Sequence, residues 1–297
     1  MAEATLTPTA QLEQQRPARG LWSDAWRRLR QNKAAVVGAA VVLLLVLVAI
    51  FADVLAPYPY AQQHIQDTFE PIGSPAYLLG TDQLGRDLLS RLIYGTRISL
   101  GVAFLAQAIT LAIGIPLGLL AGAGSRTVDN LIMRVTDVIY AFPDLLFVII
   151  IMAVLGRNIV FVPLAIGIVN WTTIARLVRS QVLSLRERDF VTAARALGVP
   201  GRRIMLNHML PNALTPIIVA VTLGVPQFIM LESTLSFIGI GAPPPMPSWG
   251  LMINDGFNSI FSYPHMVVLP GLAIALTMLS FAFLGDGLRD ALDPRER

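Results

Sequence analysis

The fold of this chain is decided by the stretch Asp189-Phe190-Val191-Thr192-Ala193-Ala194-Arg195-Ala196-Leu197-Gly198, a polar, arginine-rich segment between long apolar runs. Four of its residues have the i, i+3, i+4, i+7 spacing of one helical face: Phe190, Ala193, Ala194 and Leu197. Asp189 is placed to cap this helix, Gly198 suits the left-handed residue beyond its end, and Pro200 blocks continuation. We therefore predict two short helices joined at Gly198. Arginines flank the small-residue face, which suits it to docking into another protein: Arg186, Arg188, Arg195, Arg202 and Arg203.

The apolar runs predict a membrane protein. Hydrophobic residues make up 55% of the sequence and charged residues only 14%, which is far from an ordinary soluble domain. No charged residue occurs from 34 to 52, from 98 to 125 or from 158 to 175. About 20 apolar residues are enough for a helix to cross a bilayer. Six spans are predicted, at 34–56, 98–123, 131–155, 158–180, 213–240 and 264–285.

The basic residues predict the orientation of the spans. With the N-terminus in the cytoplasm, eighteen of the 22 lysines and arginines fall on the cytoplasmic side, as the positive-inside rule requires. We therefore expect an all-α polytopic membrane protein with six transmembrane helices and both termini in the cytoplasm. Its predicted parts are a cytoplasmic arm 1–33, the first span 34–56, an extracytoplasmic segment 57–97 with an amphipathic helix, a five-helix core 98–285 with a cytoplasmic loop 181–212, and a cytoplasmic tail 286–297.

The arginine-rich loop resembles the cytoplasmic loop of ABC-importer permeases. That family's pattern is Glu-Ala-Ala, three residues, Gly, nine residues, then Ile-x-Leu-Pro, and Ala193-Ala194, Gly198 and Leu210-Pro211 occupy the matching positions. Thr192 stands in place of the glutamate and His208 in place of the isoleucine, which is similar to the dipeptide and oligopeptide branch. Thr192 brings no carboxylate for the salt bridge that the glutamate could make to an ATPase.

Three further strings resemble the same branch. They are Gly80-Thr81-Asp82-Gln83-Leu84-Gly85-Arg86-Asp87, the proline-rich outer loop 239–250, and the segment 285–294 at the cytoplasmic end. Together with the arm and the first span, the resemblance covers about residues 21–294. It implies the ABC type I importer permease fold, in a bacterial inner membrane. It also implies that the chain supplies one half of a pathway for dipeptides or oligopeptides.

The resemblance further implies partners. The chain has no Gly-x-x-x-x-Gly-Lys phosphate loop and Lys33 is its only lysine, so the chain is not itself the ATPase. The expected partners are a second homologous permease, two nucleotide-binding ATPase subunits that hold ATP and Mg, an extracytoplasmic peptide-binding protein and the lipid bilayer. We expect no cofactor on this chain and no nucleic acid. The implied ATPase-coupling residues are Asp189, Phe190, Thr192, Ala193, Ala194, Arg195, Gly198, Arg202, Arg203, His208, Leu210 and Pro211.

Charged residues in and near the spans are further candidates. Intramembrane acids usually face the protein interior or a cavity, so Asp144 and Glu232 are candidates for the translocation pathway. Glu232 could contact a substrate amino terminus or pair with a neighbouring helix or partner subunit. Asp137 and Asp144 lie seven residues apart and are predicted to share a helical face. The candidate contacts for a binding protein are Asp82, Arg86, Asp87 and Trp249; the first three could instead pair with one another and hold the turn.

Other features favour structure over chemistry. Gly114, Gly118 and Gly122 repeat every four residues, which predicts close helix packing. The chain has no cysteine and its three histidines are far apart, so neither thiol chemistry nor a metal site is predicted. No enzymatic motif occurs, and we expect no enzyme activity. Two alternatives stay open: an ABC importer of glutathione or nickel chelates, and a secondary transporter that works without ATP. The second fits less well because such folds usually contain internal repeats.

Overall fold

The computed structural model describes residues 21–292, and within them all regular structure is helical apart from one isolated bridge between Thr81 and Asp87. The helices are α1 (Leu21–Gln31), α2 (Lys33–Ile50), α3 (Ala52–Leu55), α4 (Leu88–Ala123), α5 (Arg126–Tyr140), α6 (Asp144–Leu155), α7 (Phe161–Arg186), α8 (Asp189–Ala196), α9 (Gly201–Ile204), α10 (Leu210–Phe237), α11 (Trp249–Phe257) and α12 (His265–Leu292). A π-helical segment, Met205–Met209, joins α9 to α10, and a 3-10 turn, Ile65–Asp67, precedes α4. The predicted all-α fold is confirmed. Most of the predicted arm and the end of the tail lie outside the described residues.

Five helices are long and apolar enough to cross a membrane: α2, α4, α7, the continuous helix from Gly201 to Phe237, and α12. A sixth crossing is complete only if α5 and α6 count as one span, and these two are bent by 89°. Pro143 causes the break, because a proline disfavours helical backbone in the residue before it. The predicted third span, 131–155, therefore consists of two helices that meet at a bend. Asp137 and Asp144 lie on different helices and share no helical face.

Helix α4 joins the outer segment to the membrane core. It contains 36 residues and begins after Asp87, whose carboxylate accepts the backbone N–H of Ser90 at 2.7 Å. The amphipathic helix predicted within 57–97 is therefore the first part of the same helix as the predicted span 98–123. At 1.5 Å per residue, α4 is about 54 Å long.

The second half of the arginine-rich loop differs from its prediction. The first predicted short helix is present as α8, but the second does not end as a separate element. It runs from Gly201 through the π-helical segment into α10 and forms one long helix. The backbone N–H of Leu210 bonds to the carbonyl of Met205, and this wider turn directly precedes Pro211, which has no N–H to donate.

Glycines set the contact between α4 and α7, the most extensive helix pair in the described residues. A Cβ added at Gly118 would lie 2.6 Å from the carbonyl oxygen of Ala175 and 2.7 Å from the Cβ of Val178. Gly114 and Gly122 meet α7 just as closely, one turn to either side. The predicted close packing is confirmed. This packing holds the spans α4 and α7 together along the part of α7 that leads to α8.

Candidate functional site

Helix α8 ends in a fully hydrogen-bonded turn. Gly198 has a φ of 75°, the left-handed conformation predicted for it. The N–H of Val199 bonds to the carbonyl of Ala194 at 3.1 Å, and the N–H of Gly198 bonds to that of Arg195 at 2.9 Å. This pair of bonds is the Schellman motif, which fixes where the chain leaves the helix. At the other end, Arg188 occupies the cap position and makes no side-chain cap bond, so the predicted capping role of Asp189 is wrong. The carboxylate of Asp189 lies in the first turn, where its negative charge interacts favourably with the helix dipole.

The two sides of α8 differ in burial. Val191 and Ala194 pack into a buried cluster with Ile204 and Met209, and Ala194 is only 9% exposed. The adjoining stripe of Phe190, Ala193 and Leu197 is exposed, and Leu197 is 83% exposed. We name these three residues the coupling face. Ala194 lies next to Phe190 and Leu197 on the helix surface, as its spacing predicted, but it forms the buried edge of this stripe together with Val191. The helix therefore has a buried edge beside an exposed apolar stripe.

A cleft of about 720 Å³ lies between α8 and the adjoining ends of α4 and α7. Three arginines line it: Arg186, Arg195 and Arg202. Its floor includes the methionines of the π-helical segment, so the cleft combines positive charge with apolar surface. The other predicted coupling residues lie close by in the chain: Thr192, Arg203 and Pro211 are exposed, and His208 and Leu210 are half-buried. We call this part of the molecule the α8 end.

The Gly80–Asp87 motif forms a folded turn at the opposite end of α4. The Thr81 hydroxyl donates to the carbonyl of Asp67 and accepts the N–H of Glu70 at 2.9 Å. One oxygen of Asp82 accepts the N–H groups of Leu84 at 2.9 Å and Arg86 at 3.0 Å. The turn is held by the motif's own polar groups.

Charges within this turn belong to a buried network. Arg86 lies 2.6 Å from Asp82 and 3.0 Å from Asp255 of α11, and Arg91 lies 3.4 Å and 3.1 Å from the same two carboxylates. Burial raises the pKa of the Asp255 carboxyl, although both arginines act in the opposite direction. Two positive and two negative groups thus neutralise one another and attach the outer turn to α11. We call this part the α11 end.

The four candidate contacts for a binding protein are interior residues in this structure. Asp82, Arg86 and Asp87 are buried in the turn, and Asp87 caps α4. Trp249 is fully buried and donates its indole N–H to the carbonyl of Leu92 at 3.3 Å. The geometry supports the alternative in which the charged residues hold the turn. Contact with a partner would have to involve their exposed neighbours.

Comparison with known families decides the identity of the chain. Residues 114–297 match the family described as the inner membrane component of binding-protein-dependent transport systems. Residues 20–71 match the N-terminal transmembrane domain of oligopeptide transport permease C. The chain belongs to this permease family. It is therefore a multi-pass inner-membrane transport subunit, as the loop motif and the spans indicated.

Individual relatives align with nearly the whole permease. The permease is 44% identical to the dipeptide transport system permease protein DppC of Alkalihalophilus pseudofirmus, and the alignment covers 95% of this chain and 93% of the relative. It is 40% identical to the oligopeptide transport system permease protein OppC of Bacillus subtilis, covering 93% and 90%. It is also 40% identical to the glutathione transport system permease protein GsiD of Pectobacterium atrosepticum, covering 92% and 91%.

A solved structure supports the fold of the permease. The inward-facing MetNI methionine ABC transporter matches with a TM-score of 0.56 at 18% identity, covering 69% of this chain and 98% of that chain. The predicted ABC importer permease fold is confirmed.

The permease buries Glu232 among hydroxyl groups. Its carboxylate accepts hydrogen bonds from Ser99 of α4 at 2.9 Å and from Ser236 of α10 at 2.7 Å. The Ser99 hydroxyl also accepts the backbone N–H of Trp249 at 3.3 Å. Of the two roles predicted for Glu232, these bonds support contact with neighbouring helices. Asp144, the other pathway candidate, is exposed in the first turn of α6.

Sequence reasoning missed α11 and its part in the charge network. The segment 239–250 was predicted to be an outer loop, but Trp249 begins a helix that ends at Phe257. One local signal was available, since Ser248 caps this helix by accepting the N–H of Leu251 at 3.3 Å. The pairing of Asp255 with Arg86 and Arg91 has no local signal, because these residues are far apart in the chain.

Proposed function

We propose that this permease forms one half of the membrane pathway of an ATP-driven, binding-protein-dependent importer of dipeptides or oligopeptides. The family membership and the relatives named for dipeptide and oligopeptide transport, at 44% and 40% identity, support this substrate class. A second homologous permease completes the pathway, and two separate ATPase subunits hold ATP and Mg. The α8 end and both termini lie in the cytoplasm, an orientation supported by the distribution of basic residues.

The single observation that carries the coupling role is the coupling face of α8. Leu197 and Phe190 are exposed on a helix that is anchored along the adjoining edge by the buried Val191 and Ala194. A short helix with an apolar outer side suits insertion into a groove of a partner. Closure of the ATPase subunits would then move α8, and the continuous helices would carry that movement into the membrane.

Copurification tests the coupling role. The permease is isolated in mild detergent with everything bound to it, as wild type, Leu197→Asp or the control Leu78→Asp. Leu78 is a similar exposed leucine, 65% exposed, but lies in the outer segment. We expect wild type and the control to retain the second permease and the ATPases. Leu197→Asp should keep the permease partner and lose about tenfold or more of the ATPase, because a charge enters an apolar contact.

Two outcomes would contradict the proposal. Full retention of ATPase by Leu197→Asp would show that the coupling face is not the docking surface. A wild-type permease that purifies without ATPases and still moves peptide without ATP would favour the secondary-transporter alternative.

Glutathione is the second candidate substrate, because relatives named for glutathione transport are 40% to 43% identical to this chain. Glutathione is itself a small peptide, so it makes similar demands on a pathway. Uptake of a labelled dipeptide by the complete complex, in competition with glutathione, separates the two. Preference for the dipeptide supports the proposal, and preference for glutathione would replace it.

A further inference from the structure

A small cavity lies between α4, α7 and α10, well inside the membrane-spanning part of the permease. Its volume is about 140 Å³. The polar side chains that line it are all uncharged: Gln107, Thr110, Asn170, Thr173 and Gln227. We name these five residues the amide patch. Amide and hydroxyl groups both donate and accept hydrogen bonds without requiring a charged partner.

Gln107 is a buried member of the amide patch. It is only 4% exposed, and within residues 21–292 its Oε1 atom has no hydrogen-bond partner. Buried polar atoms are paired in the great majority of cases, so an unpaired amide oxygen at a cavity wall points to a ligand. Gly224 lies beside it, and a Cβ at that position would be 2.7 Å from the same oxygen. The glycine therefore keeps space open next to Gln107.

The outer part of the amide patch differs from the surfaces that suit lipid. Away from their ends, α2 and α12 expose large apolar side chains such as Leu44 and Leu276. Thr173 of α7 and Gln227 of α10 are exposed at membrane depth although they are polar. Polar side chains within spans face a bundle interior, a neighbouring helix or a water-filled cavity. This side of the permease is therefore not a lipid-facing surface.

We propose that the amide patch lines the translocation pathway and hydrogen-bonds the backbone amide groups of a peptide in transit. The inference rests on the proposed function and adds a site to it. Neutral donors and acceptors match the C=O and N–H groups that all peptides share, whatever their side chains. An uncharged lining also holds a charged peptide weakly enough to release it. The patch takes the place of Asp144 and Glu232 as the pathway candidate.

Cysteine labelling tests whether the amide patch faces the pathway. The permease has no cysteine of its own, so single cysteines can be introduced directly. Thr173→Cys, Gln227→Cys and the control Leu276→Cys are assembled into the complete complex in liposomes and treated with a charged, water-soluble thiol reagent. We expect the first two to react about tenfold or more faster than the control, because thiols in apolar surroundings are inert. Binding protein, dipeptide and ATP together should slow both reactions.

Two labelling results would overturn the inference. In one, the patch cysteines react no faster than Leu276→Cys, as expected if the patch is sealed against the second permease. In the other, they react quickly but dipeptide and ATP do not slow them. Failure of the proposed function would give a different result from these two. In that case the wild-type complex itself would show no ATP-dependent peptide import.

A second measurement tests the hydrogen bond from the peptide. Import of a dipeptide is compared with import of the same dipeptide methylated on its peptide nitrogen, in wild type and Gln107→Leu. We expect Gln107→Leu to reduce import of the unmodified dipeptide by about tenfold and to leave the methylated one nearly unchanged. A preference of the binding protein for one of the two dipeptides does not affect this test, because the import of each dipeptide is compared between wild type and Gln107→Leu. Equal losses for both substrates would overturn the assignment.

Discussion

The two ends of α4 hold charged motifs in opposite environments. At the α11 end, Asp82 is 1% exposed and its charge is balanced within a network that includes Arg86 and Asp255. At the α8 end, the coupling face and most of the arginines are open to solvent. The α11 end is completed by its own residues, whereas the α8 end leaves apolar and charged groups exposed. Similar polar composition therefore serves internal stability at one end and, under the proposed coupling role, association at the other.

The largest effect is expected from breaking the buried network. Asp82→Asn removes one of two negative charges and leaves two buried arginines with a single partner. Breaking a buried ion pair costs about 3–5 kcal/mol, so the free energy of unfolding in detergent should fall by that amount. Glu187→Gln changes an exposed acid at the α8 end and should have little effect. A loss below about 1 kcal/mol would mean that the network behaves as a surface pair.

The second-largest effect is expected from the packing of α4 against α7, which lies between the two ends. Gly118→Ala places a Cβ 2.6 Å from the carbonyl oxygen of Ala175, so backbone must move. Overpacking of this kind costs up to about 3 kcal/mol, which thermal unfolding of the purified permease would detect. Gly101→Ala is the matched control, since nothing lies within 4 Å of a Cβ there. Equal behaviour of the two variants would contradict the close contact between α4 and α7.

A neighbouring pair of residues sharpens the comparison within α8. Ala194→Glu forces a carboxylate into the cluster of Val191 and Ile204 and should lower the free energy of unfolding by about 2 kcal/mol. Ala193→Glu adds the same group on the exposed side and should leave stability nearly unchanged. Both should weaken ATPase retention, the first by unfolding α8 and the second by charging its outer face. Equal stability of the two variants would contradict the assignment of the sides.

The smallest effect is expected from an exposed ion pair. Arg176 and Asp137 lie 2.7 Å apart, with side chains 39% and 60% exposed. An exposed pair contributes below about 1 kcal/mol, so Asp137→Asn should change the free energy of unfolding little, and added salt should reduce the change further. An effect as large as that of Asp82→Asn would show that burial is not what separates the two pairs.

The sequence predicted features that depend on local chemistry. Charge-free runs predicted the spans because a bilayer excludes unpaired charge, and Gly198 was predicted because few other residues adopt its backbone conformation. Features that depend on tertiary contact were not predictable. The pairing of Asp255 with Arg91 joins distant segments, and the inner side of α8 is set by what lies beneath it. The amide patch combines residues from three helices, none of which stands out alone.

Helix α4 extends from Leu88, next to the α11 end, to Ala123 at the cleft of the α8 end. Its length of about 54 Å exceeds the hydrocarbon core of a bilayer, which is about 30 Å thick. A rod of that length, pivoting about one end through about 5°, displaces the other end by roughly 5 Å. If the proposed coupling holds, small angular changes at the α8 end would therefore give ångström-scale displacement at the α11 end.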